Sequence, residues 1–216
     1  MVTGQVYHVF NRGVSKIPIF TVLREYKRAI GTIQYYMLKN TPIRYSKYLK
    51  LVDERKIDIY KNIDTREKTV ELISYVLMPN HFHFLLKQVS EEGIKSFVRN
   101  FQISYTRYFN TKNERVGPLL QGQFKAVLIE ADEQLKHVSR YIHLNPYTSY
   151  LVKDLEELKG YLWSSLPEYL GVVVNGFCNK TLVLPQIKDT NKYWQFIANQ
   201  ADYQRRLGNI KHLMLD

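Results

Sequence analysis

The chain has 216 residues, with 31 lysines and arginines against 20 acidic residues, for a net charge of +11. Its 45% hydrophobic and 24% charged content is that of a folded globular protein long enough to bury its own core. The single cysteine, Cys178, excludes an internal disulfide framework and a Cys-rich zinc finger; no apolar run approaches a membrane span, and no secretion signal opens the chain, which points to the cytoplasm.

In chain order, residues 5–11 are rich in β-formers and read as a strand ending near Gly13. Residues 21–38 carry apolar side chains at Val22, Tyr26, Ala29, Ile30 and Ile33, a helical spacing. Residues 40–67 read as an insertion with a short helix. Residues 70–78 and 82–87 read as two strands of a hairpin broken by Pro79-Asn80. Helical spacing returns over 91–110 through Ile94, Phe97, Phe101 and Ser104. A fourth strand is expected at 123–130. A helix follows from Asp132 to about Asn145, with Pro146 just past its end. A mostly helical tail covers 150–216, with a helix over 191–215 and a possible break at Gly208.

The order strand, helix, strand, strand, helix, strand predicts an α+β fold. It matches a ferredoxin-like split βαβ arrangement, an antiparallel sheet with helices on one face. The seventh element is an added helix carrying Tyr141. The expected division is a core domain at 1–149 and a packed appendage at 150–216.

The charge is uneven: the first fifty residues hold nine basic and one acidic side chain. The chain also has 17 tyrosines. Basic groups neutralise phosphates and aromatic rings stack on unpaired bases, so the balance points to nucleic acid. The plainer alternative is a basic but inert surface.

Two short segments carry chemistry. In the strand around Tyr75–Phe84, His81 and His83 share one face while Phe82 and Phe84 share the other. Two imidazoles so placed can bind one divalent metal, or form an ordinary pair on a polar strand face. In the helix His137–Pro146, Tyr141 and Asn145 lie one turn apart. Leu135, Val138 and Ile142 form a separate apolar stripe. The Asn145 amide oxygen is a hard donor that suits Mg²⁺ or Mn²⁺. Each feature alone is ordinary, and Tyr105 and Tyr108 read as packing residues.

Taken together, the segments resemble the HUH single-tyrosine transposases. Residues 7–13 (YHVFNRG), 75–86 (YVLMPNHFHFLL), 105–110 (YTRYFN), 122–125 (GQFK) and 140–146 (RYIHLNP) follow in the order of that family. The last of these is most similar to the REP-associated tyrosine transposases, and the likeness covers roughly residues 4–170. The resemblance implies metal ligation by His81, His83 and Asn145 and nucleophilic attack by Tyr141. A 5′-phosphotyrosine and a free 3′-OH would result, on single-stranded DNA beside a hairpin. It also implies one complete site per chain, hence a monomer, with a homodimer as the alternative. Arg12, Lys125 and Arg140 are candidate phosphate contacts, and His137 is a candidate helper of Tyr141.

Two other readings stay open. One is a metal-dependent nuclease using water, although residues 72–90 hold no acidic side chain. The other is a single-stranded nucleic-acid-binding module without catalysis.

Overall fold

The computed structural model describes residues 1–62, 67–186 and 189–206. Four strands, β1 (Val6–Arg12), β2 (Val70–Met78), β3 (His81–Gln88) and β4 (Lys125–Ile129), form one antiparallel sheet in the order β2-β3-β1-β4. That is the ferredoxin-like order, with the two central strands, β3 and β1, contributed one by each strand-helix-strand unit.

The helices α1 (Leu23–Met37) and α4 (Gly93–Lys112) cover one face. On α4, Ile94, Phe97, Phe101, Tyr105 and Phe109 form one buried stripe. It packs on Phe82 and Phe84 of β3, with Phe101 edge-on to both at 5.3 and 5.4 Å. Glu25 of α1 is buried and accepts hydrogen bonds from Thr21 N and Oγ1, which fixes the start of the helix. Its other oxygen meets Lys112 Nζ at 2.6 Å, tying α1 to the end of α4. The region read as an insertion supplies α2 (Tyr45–Tyr48) and α3 (Asp53–Asn62).

The second face is covered over β2 and β3 by α5 (Asp132–Thr148), through Leu135, Ile142, Leu144 and Tyr147. An irregularity between Leu72 and Ser74 shifts the alternation of β2. Ile73, Val76 and Met78 thereby turn to the α5 side while Leu72, Tyr75 and Leu77 keep to the α1/α4 side. Such an extra residue resets which side chains face each layer.

Pro146 lies inside α5, where the sequence pattern placed the helix end. Its ring removes one donor but leaves the acceptors usable. Asn145 O accepts from Ser149 N, and Pro146 O accepts from Leu151 N and Val152 N. Tyr147, buried, donates to Asp202 at 2.7 Å and lies under Arg205 at 3.8 Å, so tail packing carries the helix past the proline.

The tail forms α6 (Leu155–Lys159), α7 (Leu166–Tyr169) and α8 (Thr190–Ala198), with a further helical stretch at 201–206. The expected helix over 191–215 is thus interrupted after Ala198, and Gly208 lies outside the described residues. Leu158, Leu166, Tyr169, Val183, Tyr193 and Ile197 join the same core as Ile73, Val76 and Ile142. The tail also closes the outer edge of β2. Leu77 N donates to Trp163 O, Ser165 N to Tyr75 O, and Asn179 N to Leu72 O. Among the described residues no helix is long and apolar enough to cross a membrane.

Candidate active site

The site lies on the α5 face of the sheet, where β3 and β1 meet. Strand parity puts His81, His83 and Leu85 of β3 on this face, and pairing puts Phe10 opposite His83. The same parity brings His8 beside Phe10, with ring centroids 5.0 Å apart.

The hairpin tip that starts β3 is pinned from three sides. Pro79 O accepts from Ile19 N and Phe20 N, and Asn80 O accepts from Gly13 N. A Cβ on Gly13 would sit 2.3 Å from Ile17 O, so only glycine lets the chain pass here. This pinning holds His81 at the first position after the turn.

Asn80 Oδ1 lies 2.6 Å from His81 Nδ1, and Asn145 Oδ1 lies 3.2 Å from His81 Nε2. A neutral imidazole has one N–H, so it donates to one oxygen and turns a lone pair to the other. With Nδ1 donating across the shorter contact, Nε2 and Asn145 Oδ1 aim two lone pairs at one region. Such a donor pair suits a small cation.

Burial lowers the His81 pKa from its usual value, opposed by the Asn145 contact and assisted by the nearby Arg12 charge. Burial pushes His83 further down, helped by the charges His81 and His8 would carry. Both rings are therefore neutral at neutral pH, the form that ligates metal. His83 Nδ1 lies 2.9 Å from His8 Nε2. His8 itself is held to about 4 by burial.

Tyr141 stands beside these rings. Its ring is edge-on to His83 at 5.4 Å and to His8 at 6.0 Å, and it is 42% exposed. Desolvation by its neighbours raises the phenol pKa, and a hydrogen bond with Asn145 works the other way. Asn145, 6% exposed, thus reaches both His81 and Tyr141 from one helical turn. His81, His83, Asn145 and Tyr141 come together within a single chain.

The remaining candidates divide. Arg12 is close enough to shift His81, and its Nε donates to Gln121 Oε1 at 2.7 Å on an exposed surface. Lys125 opens β4 opposite Phe10, exposed at the rim of the site. Arg140 is not on the surface. It is 6% exposed, stacks on Phe196 at 4.3 Å and donates to His137 Nδ1 and Phe196 O. The reason is α8, whose packing the helical wheel of α5 alone does not reveal. His137 is likewise occupied, 3.1 Å from Glu133 and against Phe196, and its polar partners among the described residues are Glu133 and Arg140, not Tyr141.

His8 is the residue that sequence reasoning missed. The signal was available: β1 neighbours β3 in the ferredoxin-like order, and His8 shares parity with Phe10. Combining the two places a third imidazole at the site.

On the open side, α5 leaves β1 and β4 uncovered. Val127, paired with His8, is 49% exposed. The open face there carries Lys125, Val127, His8 and Tyr141.

Comparison with known proteins bears on this geometry. The family described as "Transposase IS200 like" matches residues 32–145, which contain His81, His83, Tyr141 and Asn145. Among solved structures, the chain is similar to that of a REP-associated tyrosine transposase bound to a REP hairpin. The match has a TM-score of 0.54 and 14% identity, covering 83% of this chain and 85% of the other. No curated protein matches the sequence significantly.

Proposed function

The chain belongs to the IS200-like transposase family, and from that premise we propose that it cleaves and rejoins single-stranded DNA beside hairpins through Tyr141. The observation that carries the reading is the placement of Tyr141 edge-on to His83, with Asn145 bridging to His81 one turn later.

In the proposed step, Tyr141 Oη forms a bond to the scissile phosphorus as the bond to the 3′ oxygen breaks. The phenol proton is lost to solvent along the exposed ring edge, and the leaving 3′ oxygen takes up a proton. The product is a 5′-phosphotyrosine with a free 3′-OH. Because the ester bond energy is kept in the adduct, a 3′-OH can reverse the step without ATP. His81, His83 and Asn145 would hold a divalent ion, Mg²⁺ or Mn²⁺, which when bound neutralises charge on the scissile phosphate. Asn145 also holds the phenol in position, and His8 holds His83. Arg12 and Lys125 flank the strand path and contact its phosphates.

The similar structure's hairpin ligand supports hairpin DNA as the partner. The completeness of the site within one chain supports a monomer. Residues 1–149 supply the chemistry, and the described residues between 150 and 206 brace α5 and β2.

The test is covalent trapping with end-labelled hairpin oligonucleotides and Mn²⁺ on a denaturing gel. A shifted band is expected that retains the 3′-side fragment and disappears with chelator, His81→Ala or Tyr141→Phe. Cleavage that survives Tyr141→Phe would replace this mechanism with water-based hydrolysis. Binding with neither adduct nor cleavage would reduce the protein to a binding module.

A further inference from the structure

Every other half-buried aromatic among the described residues, from Tyr45 to Phe196, packs against one of the two cores. Phe10 is half-buried too, yet it packs against neither. Strand alternation explains its place. Val9 turns to the α1/α4 core and is fully buried, so Phe10 turns to the face that α5 leaves open over β1. Its ring neighbours are two imidazoles, His8 at 5.0 Å and His83 at 5.5 Å, each tilted by 35°. Neither lies flat on it.

A phenyl ring kept partly in water forgoes the gain of full burial. The surroundings give this ring another use. Phe10 pairs with His83 on one side and with Lys125 on the other. Arg12, exposed, follows two residues on along the same face. Two cations thus flank an aromatic ring beside the proposed ligand His83, and Tyr141 stands edge-on to that same His83 at 5.4 Å.

We propose that Phe10 is the platform on which the unpaired base next to the scissile phosphate stacks, so that it sets the position of the strand in the site. The inference rests on the DNA-processing reading above and names the contact that registers the strand. Any unpaired base can lie on the ring, because every base has a π-face. A base inside a duplex cannot, since its neighbours in the stack cover both faces. Side chains two apart on one strand face are about 6.5 Å apart. With a base on Phe10, Arg12 and Lys125 therefore reach the phosphates on either side of it. The consequence is a demand for one unpaired base at one position, whatever its identity.

The test is a fluorescence-anisotropy titration of the full chain with a DNA stem-loop carrying oligothymidine flanks, in chelator so that no strand is cut. Single abasic sites are moved along the flanks, and wild type is compared with Phe10→Leu and Phe10→Trp. Leucine keeps apolar bulk without a π-face, whereas tryptophan keeps both. One abasic position is expected to weaken wild-type binding by roughly 5- to 100-fold, the range for one lost base–aromatic stack. Phe10→Leu should bind the intact DNA more weakly by a similar factor and lose its sensitivity at that position alone. Phe10→Trp should restore both. A Phe10→Leu loss that leaves every abasic penalty in place would mean that the ring only supports the histidines, and would overturn the proposal. A wild type indifferent to every abasic site, or to the flanks themselves, would also overturn it.

The adduct assay is run separately. A Phe10-dependent position without any adduct would sink the tyrosine chemistry and leave the platform standing. Adduct formation with no such position would do the reverse.

Discussion

His8 meets His83 Nδ1 at 2.9 Å, so truncating it strips the buried ring of a proposed ligand histidine of the partner on its other nitrogen. His8→Ala is expected to slow adduct formation about 10–100-fold, the usual range for partners that orient ligating histidines. His8→Gln should restore part of the rate. Single-turnover assays beside melting curves check this; an unchanged rate would mean that packing alone orients His83. The parity of His81 and His83 and the turn spacing of Tyr141 and Asn145 were legible in the sequence, because strand and helix periods fix them locally. His8 and Arg140 were not. The place of His8 depends on which strand neighbours β3, and the burial of Arg140 depends on Phe196, more than fifty residues away.

Elements were legible in order and type because the core stripes are strongly periodic, as in Phe97, Phe101, Tyr105 and Phe109 of α4. Their joints were less so. Pro146 signals a helix end locally, and tail contacts to Tyr147 from Asp202 and Arg205 override it. The cavity lined by Arg24, Arg28, Arg44, Arg99 and Arg107 escaped sequence reading too, since it forms only when α1, α2 and α4 pack side by side. The start of α4 supplies a sharper test. A Cβ on Gly93 would fall 2.1 Å from Thr69 O, a backbone atom with little room to move. Gly93→Ala is expected to destabilise the fold by roughly 1–3 kcal/mol, as overpacking commonly does. At about 2–4 °C per kcal/mol for a chain this size, thermal melting should show a drop of several degrees. An unchanged melting point would show that the β2–α4 joint yields freely.

For the whole molecule, the tail is structural material for the sheet. His143, fully buried in α5, lies 2.7 Å from both Tyr193 Oη and Ser165 Oγ, so one imidazole ties two parts of the tail to the core. Burial holds its pKa at about 3, below the ordinary histidine value of 6.5. The unfolded chain therefore takes up a proton below pH 6.5 that the folded chain refuses. The sign follows: this contribution to stability is intact above 6.5 and is lost as pH falls toward 3. Denaturant midpoints measured from pH 7 to 4 should decline, and His143→Gln should flatten the decline while lowering stability at pH 7. Removal of residues 150–216 is expected to uncover Ile73, Val76 and Ile142 and cause aggregation. A monodisperse 1–149 fragment with a normal melt would show that the core folds without its tail.

The edge of β2 that the tail closes has a temporal side. Tyr75 and its partner Ser165 are 90 residues apart. At roughly 5–20 residues per second during synthesis, the nascent chain carries that edge bare for on the order of 5–20 s. Its exposed ladder is then a template for stray strands. Slower elongation over residues 76–165 should lengthen that interval and raise the share of newly made chains lost to aggregation, although the finished protein would be unaltered.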